Sequence, residues 1–371
     1  MKIGIPKEIM TGEARIALTP KACQTLIAGS HSIYLEKDAG IGSGYSNASY
    51  SNAGVEVVDT ARQLFDASHL IIKVKQPLTD DLALLRSHHV LFSYLHLAAD
   101  LPLVQTLCDI GVSAIPFESV LDELGALPLL KPMSQIAGRI ATMRGASLLF
   151  RNRGGRGILL GGVDGSESGR VVVLGAGVAG SHAIAVAVAL GARVDVVDLD
   201  KSKLQLIALK YPAVDTHLST PDIVESLCID ADLVIGAVLL SGRRAPVVLK
   251  KSVIKQMKEG AVIVDIAIDQ GGCVEGIQET SSEQICYLED GVIHSAVPNM
   301  PATVARTASQ SLSSAILPYV EILAVAGVDG IFEPDCSQSL ALQRAIAIRS
   351  GEVIDTNLLD EIASKKAQTV A

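Results

Sequence analysis

Arg170-Val-Val-Val-Leu-Gly-Ala-Gly-Val-Ala-Gly-Ser-His182 opens a stretch that runs on to Ala192-Arg-Val-Asp-Val-Val-Asp198. It reads as an apolar strand, a glycine-rich turn, an Ala-rich helix and a second strand closing on an acid. A lone GxGxxG carries little information. Here the motif follows a strand and opens a helix, and Asp198 stands 18 residues beyond the third glycine, the context of a dinucleotide site. Gly175 allows the tight turn, Gly177 lets the pyrophosphate approach the backbone, and Gly180 lets helix and strand pack closely. Val178 then begins the helix, whose free N–H groups and positive end face the phosphates. A carboxylate at Asp198 accepts from both ribose hydroxyls and repels a 2′-phosphate, which favours NAD over NADP. The plain alternative is a glycine-rich turn in some other α/β protein.

Outward from this motif, residues 131–304 read as one NAD-binding Rossmann unit. Strands are expected at Val171–Leu174, Arg193–Asp198, Leu233–Val238, Val262–Ile268 and Val292–Ser295, with helices such as Lys201–Lys210 and Ser252–Lys258 between them. This alternation means a parallel, doubly wound sheet. The N-terminal part repeats it, with strands at Lys2–Ile5, Ser32–Glu36, Leu70–Lys75, Val90–Leu95 and Ser113–Pro116. Ser68–Lys75 echoes Ala231–Val238, and Val90–His96 echoes Val262–Asp269. The tail is helical over Ser311–Leu323 and Ser339–Ile348, then a short strand over Glu352–Asp355. It is expected to cover the first sheet, which makes residues 1–130 plus 305–371 a discontinuous substrate-binding domain. The fold expected is α/β: two Rossmann-like doubly wound domains with an active-site cleft between them.

A chain of 371 residues suits two such domains. Charged residues are 19%, Trp is absent, and aliphatics carry the core. The net charge of −9 argues against nucleic acid and anionic membranes as partners. The apolar stretches are broken by Gly, Pro or charge before they reach the roughly 20 residues of a bilayer span. MKIGIPKEIM lacks the apolar core of a signal peptide. The six cysteines, Cys23, Cys108, Cys228, Cys273, Cys286 and Cys336, show no paired spacing and suit free thiols in a cytoplasmic protein. No His/Cys spacing fits a metal, and His88-His89 reads as surface or strand-edge rather than ligand.

In open parallel sheets, ligands bind beyond the carboxyl ends of the strands. Lys75, His96 and Asp269 close three such strands, so facing crevices would bring them together at the nicotinamide. Each has a plainer reading. Lys73 and Lys75 alternate with Ile72 and Val74 and could share a solvated strand face. His96 could be a structural, hydrogen-bonded residue. Asp269, before Gly-Gly, could only form a turn, and Asp265 is a rival acid. Arg15 precedes Thr19-Pro20, an N-cap and first helical position. It therefore sits in the loop after the first strand, where a guanidinium suits a carboxylate. The alternative there is a surface Arg.

Several stretches resemble bacterial alanine dehydrogenases: Ile5-Pro-Lys-Glu-Ile9, Glu13-Ala-Arg-Ile-Ala-Leu-Thr-Pro20, Val74-Lys-Gln-Pro77, Phe92-Ser-Tyr-Leu-His-Leu-Ala98 and Pro132-Met-Ser-Gln-Ile-Ala-Gly-Arg139. So do Gly154–Gly162, the glycine loop, Ala231–Val238, Asp265–Gly272 and Val297-Pro-Asn-Met-Pro301. The resemblance spans roughly residues 1–330, in a family that includes the NAD-binding part of proton-translocating transhydrogenase. It implies that Arg15 and Lys75 bind pyruvate, that His96 is the acid/base, and that Asp269 assists ammonia or water. It further implies nucleotide contacts at Ser134, Asp198, Lys203, Ser219 and Val238, nicotinamide-side contacts at Asn299 and Met300, and a homohexamer. The implied reaction is oxidative deamination of L-alanine to pyruvate and ammonium with NAD, and its reverse. Gln76 stands where an acid is usual, and the 301–305 loop lacks a usual glycine. The alternatives are another small amino- or imino-acid dehydrogenase, or a non-catalytic NAD-binding regulator.

Overall fold

The computed structural model describes residues 1–238, 244–281, 283–332 and 340–370, with the side chains of 366–370 excepted. Cys336 and Ser339 lie outside the described residues. In chain order the strands are β1 (Lys2–Ile5), β2 (Ser32–Glu36), β3 (Glu56–Val58), β4 (Leu70–Ile72), β5 (Val90–Ser93), β6 (Ser113–Pro116), β7 (Arg170–Leu174) and β8 (Arg193–Asp198). There follow β9 (Val214–Leu218), β10 (Leu233–Gly236), β11 (Val262–Asp265), β12 (Tyr287–Glu289), β13 (Val292–Ser295), β14 (Ile348–Arg349) and β15 (Glu352–Val353). The chain forms two compact units, Met1–Met133 with Ala302–Ala371, and Ser134–Pro301.

In the second unit the sheet order is β12-β13-β11-β10-β7-β8-β9. All pairings are parallel except that of β12 with β13. Read from β9, this is the doubly wound order 3-2-1-4-5-6, with its reversal between β7 and β10. The valine runs are explained by burial on both faces. Val171, Val173, Val194, Val196, Leu233 and Ile235 belong to one apolar layer, and Val172, Leu174, Val197, Val234 and Ile263 to the other. Alternate side chains on a strand point to opposite faces, so an uninterrupted aliphatic run fills two layers.

The first unit repeats that order. Its sheet runs β15-β14-β6-β5-β4-β1-β2-β3, parallel from β6 to β3, with β14 and β15 added antiparallel at the β6 edge. The echoing sequences occupy equivalent places. β4 lies beside β1 as β10 lies beside β7, and β5 and β11 come next outward.

Three expectations about elements are corrected. β4 ends at Ile72 and β11 at Asp265, so Lys75 sits in a bend and Asp269 in the 3-10 turn Ile266–Gln270 rather than on strands. Lys73 is not on a solvated face: it is 1% exposed, with Nζ 3.1 Å from Asp81 and 3.6 Å from Glu8. Strand alternation stops applying where the strand stops. Finally, the stretch Met300–Gly330 does meet the length and hydropathy of a membrane-crossing helix. Its helix, Ala305–Gly330, leaves helical geometry at Gly327 and buries a stripe including Ala308, Ser309, Leu312, Ser313, Ile316, Val320 and Leu323. It packs against helix Pro20–Ala28 within the first unit.

Candidate active site

In the first unit, Arg15, Lys75 and His96 all follow the carboxyl ends of neighbouring strands, β1, β4 and β5. Arg15 is no surface residue, being 3% exposed. Its Nε and Nη2 donate to the two carboxylate oxygens of Glu13 at 2.7 and 2.6 Å, a bidentate pair, and Nη1 donates to the Met133 sulfur at 3.1 Å. Glu13 therefore fixes the plane of the guanidinium along one edge. Lys75 is half-buried. It follows Val74, whose N–H donates to Glu8 Oε1 at 2.6 Å. Burial pushes the Glu8 carboxyl above the ordinary carboxylate range, against the pull of Lys73.

His96 has a left-handed backbone, φ 51°, which is uncommon for a residue with a side chain. Glu118 supports that conformation: its carboxylate accepts the His96 N–H at 2.5 Å and the Leu95 N–H at 3.2 Å. The same carboxylate lies 3.9 Å from His96 Nδ1. The imidazole is about half exposed and stacks on Tyr94, their planes 11° apart. The Tyr94 hydroxyl donates to Leu129 O, and burial raises its pKa out of the working range. Glu118 was missed in the sequence reading. It sits in the 3-10 turn after β6, so the rule that marked Lys75 and His96 would have marked it too.

In the second unit the glycine loop lies at the reversal point after β7. Two of its glycines are demanded by packing. A Cβ on Gly180 would stand 1.8 Å from Gly175 O, and one on Gly175, at φ 106°, would stand 2.6 Å from Ala237 O. Gly177 differs. Its φ is −68°, it is the N-cap of helix Val178–Ala189, and an added Cβ would meet nothing within 4 Å among the described residues. Open space in front of a helix N-terminus is what a pyrophosphate needs, so these residues fit a dinucleotide. Asp198, at the end of β8, receives the Ala176 N–H at 2.6 Å on one oxygen and the Asp200 N–H at 2.8 Å on the other. A carboxylate has about four lone-pair sites, so both oxygens can still take ribose hydroxyls.

The remaining predicted residues divide. Ser219 N donates to Asp198 O at 2.9 Å, bringing it to the same strand end. Lys203 instead turns to Asp200, 3.7 Å away, in the first turn of helix Lys201–Lys210. Ser134 lies in helix Lys131–Leu148 and Val238 just beyond β10. Asp269 is exposed and its carboxylate accepts the Asn299 N–H at 3.2 Å. That contact joins it to the segment bearing buried Met300, with Asn299 at φ 53°. Asp265, the rival acid, is wholly buried and accepts the N–H groups of Ala267, Cys273 and Val274. It organises its own turn and faces no solvent.

Two family models match consecutive parts of the chain: the alanine dehydrogenase/PNT N-terminal domain over residues 4–137 and the alanine dehydrogenase/PNT C-terminal domain over 141–356. Alanine dehydrogenase of Bacillus subtilis is 45% identical over 86% of this chain and 84% of its own length. That of Mycobacterium tuberculosis is 39% identical over 98% and 97%. A solved L-alanine dehydrogenase superposes with a TM-score of 0.94 at 40% identity, covering 98% of this chain and 99% of the other. A transhydrogenase from Sinorhizobium meliloti, 22% identical with a TM-score of 0.82 over 96% and 100%, shares the fold. By sequence along nearly its whole length, and by structure, the chain belongs to the alanine dehydrogenase/PNT family.

Proposed function

We propose that this protein is an NAD-dependent alanine dehydrogenase, converting L-alanine and water to pyruvate and ammonium and running the reverse amination. The observation that carries the reading is the delivery of Arg15, Lys75 and His96 by the ends of adjacent strands β1, β4 and β5. The relatives named above support it. In this reading the glycine loop, Asp198 and Ser219 hold NAD, which when bound takes the hydride from Cα. Lys203, Val238, Ser134, Asn299 and Met300 complete its surroundings.

The chain's own groups do the rest. The guanidinium of Arg15, its plane set by Glu13, binds the substrate carboxylate, and Lys75 polarises the carbonyl of pyruvate. His96, kept in place by Glu118, takes a proton as water adds to the imine carbon and returns one to the departing amine. Asp269 orients that water, or ammonia in reverse. Positioned acid/base help of this kind contributes roughly 10²–10⁴ in rate. An imidazole suits it, because its two ring nitrogens let it serve as both proton acceptor and proton donor.

The protein works in the cytoplasm as a homo-oligomer, a hexamer by family resemblance. Exposed apolar side chains such as Met143 and Val325 support association with further copies, which light scattering would read. The activity test is NADH consumption with pyruvate plus ammonium, beside oxaloacetate, glyoxylate and 2-oxobutyrate. Preferred turnover of another oxo acid would reassign the substrate. Tight NADH binding without turnover of any would make the protein an NAD-binding regulator.

A further inference from the structure

The helix Ala305–Gly330 is apolar enough to cross a membrane, yet two wholly buried positions on its inner stripe are serines, Ser309 and Ser313. Their partners lie some three hundred positions earlier in the chain, in the irregular segment between β1 and helix Pro20–Ala28. Ile16 N donates to Ser309 Oγ at 2.8 Å, and Thr19 N to Ser313 Oγ at 3.0 Å. Ser43, 1% exposed, donates from Oγ to Ala14 O at 2.8 Å and lies 2.7 Å from Ser309 Oγ. The segment is buried, with Arg15, Ile16, Ala17 and Leu18 all at 3% or less, and it has no regular structure to satisfy its peptide groups. Buried peptide groups must find partners; here hydroxyls supply several of them, while the Glu13 carboxylate takes the Arg15 N–H at 3.0 Å.

An N–H can only donate, so Ser309 Oγ accepts from Ile16. A carbonyl can only accept, and Ala14 O at 2.8 Å is a nearer acceptor for the Ser43 hydroxyl than Ala305 O at 3.4 Å. With the Ser43 proton on Ala14 O, Ser309 donates to Ser43, and the relay runs Ile16 N–H to Ser309 to Ser43 to Ala14 O. Its two ends are the peptide groups on either side of the Arg15 Cα. Pinning both peptides fixes the backbone dihedrals from which the Arg15 side chain departs. Glu13 sets the guanidinium plane, and the relay sets where that plane stands.

We propose that Ser309 and Ser43 are positioning residues for Arg15, acting together on recognition of the substrate carboxylate. The inference rests on the function proposed above. The test compares Ser309→Ala, Ser43→Ala, the double variant and Ser313→Ala in the full-length protein. Ser313 makes the same kind of bond to Thr19, away from the peptides of Arg15, and so serves as the control. Misplacing a binding group by about 1 Å can cost about 10²-fold. Ser309→Ala is expected to raise KM for pyruvate about tenfold or more, with KM for NADH within about twofold. Ser43→Ala should act alike, and the double variant should be little worse than either, as members of one relay are not additive. Ser313→Ala should lower the melting temperature without moving KM for pyruvate. An unchanged KM for pyruvate in Ser309→Ala, or an equal shift in Ser313→Ala, overturns the proposal. An inactive parent protein would instead defeat the enzymatic reading. The relay is then read by amide exchange at Ile16, which Ser309→Ala should accelerate; unchanged exchange overturns it.

Discussion

At the scale of single residues, His96 combines an uncommon backbone conformation with an exposed imidazole, a costly arrangement for a merely structural residue. Left-handed backbone at a non-glycine residue persists only where its surroundings impose it, and here the Glu118 carboxylate does so. His96→Ala is expected to lower turnover at least ~100-fold with NADH affinity kept, measured by steady-state rates and fluorescence titration. Near-normal turnover would remove His96 from the proton path. Asp198 bears on the other substrate. Its carboxylate ties the glycine loop to the end of β8 through Ala176 and Asp200. Asp198→Ala should narrow the preference for NADH over NADPH by about tenfold or more. An unchanged ratio of kcat/KM values would count against the ribose contact.

Elements add constraints that single residues do not carry. The three glycines look alike in sequence but answer to different neighbours. Gly180→Ala drives a methyl into the Gly175 carbonyl and should prevent folding or lower stability by several kcal/mol, read by chemical denaturation. Gly177→Ala meets open space, so its stability should stay within about 1 kcal/mol of the parent. Its affinity for NADH should fall about tenfold or more, because the methyl takes the phosphate's place. Equal NADH affinity would show that the pyrophosphate lies elsewhere. Lys73 joins the loop after β4 to Glu8 and to Asp81 in helix Thr79–Leu82. Lys73→Met strands two buried carboxylates and should cost about 3–5 kcal/mol at neutral pH. A loss below about 1 kcal/mol would mean that water reaches the cluster.

At the scale of the whole molecule, stability should carry the mark of buried His294 in β13. It is 3% exposed, and neither ring nitrogen has a well-aligned hydrogen-bond partner among the described residues. Burial holds its pKa below the ordinary value, outweighing the pull of Glu289. The unfolded chain therefore takes up the proton first. The stability this neutral imidazole contributes is present above about pH 6.5 and is lost as pH falls through the unfolded value toward the lower folded one. His294→Leu should narrow the drop in melting temperature between about pH 7.5 and about pH 5.5. An equal drop in both proteins would mean that other groups govern acid sensitivity. The surface of the molecule also stays apolar at Leu206, Leu209 and Val325, each more than two-thirds exposed or close to it.

Much of this was legible in the sequence wherever the signal was local. Runs of β-branched residues between glycine turns revealed most strands of both sheets, and the echo between Ser68–Lys75 and Ala231–Val238 revealed that the two sheets share a plan. A strand too short to show alternation, such as Glu56–Val58, and one mostly polar between its ends, such as Val214–Leu218, gave no comparable signal. The glycine loop and its acid were legible because a tight turn, a helix start and the carboxylate closing the second strand all lie within one βαβ unit. Tertiary structure alone decided that Lys73 is a buried cation and that Glu118 lies at His96. It also decided that Ser309 and Ser43 hold the peptides of Arg15. The reason is physical: periodicity records which face of an element is apolar, whereas the partner of a buried polar group is set by which distant element packs against it.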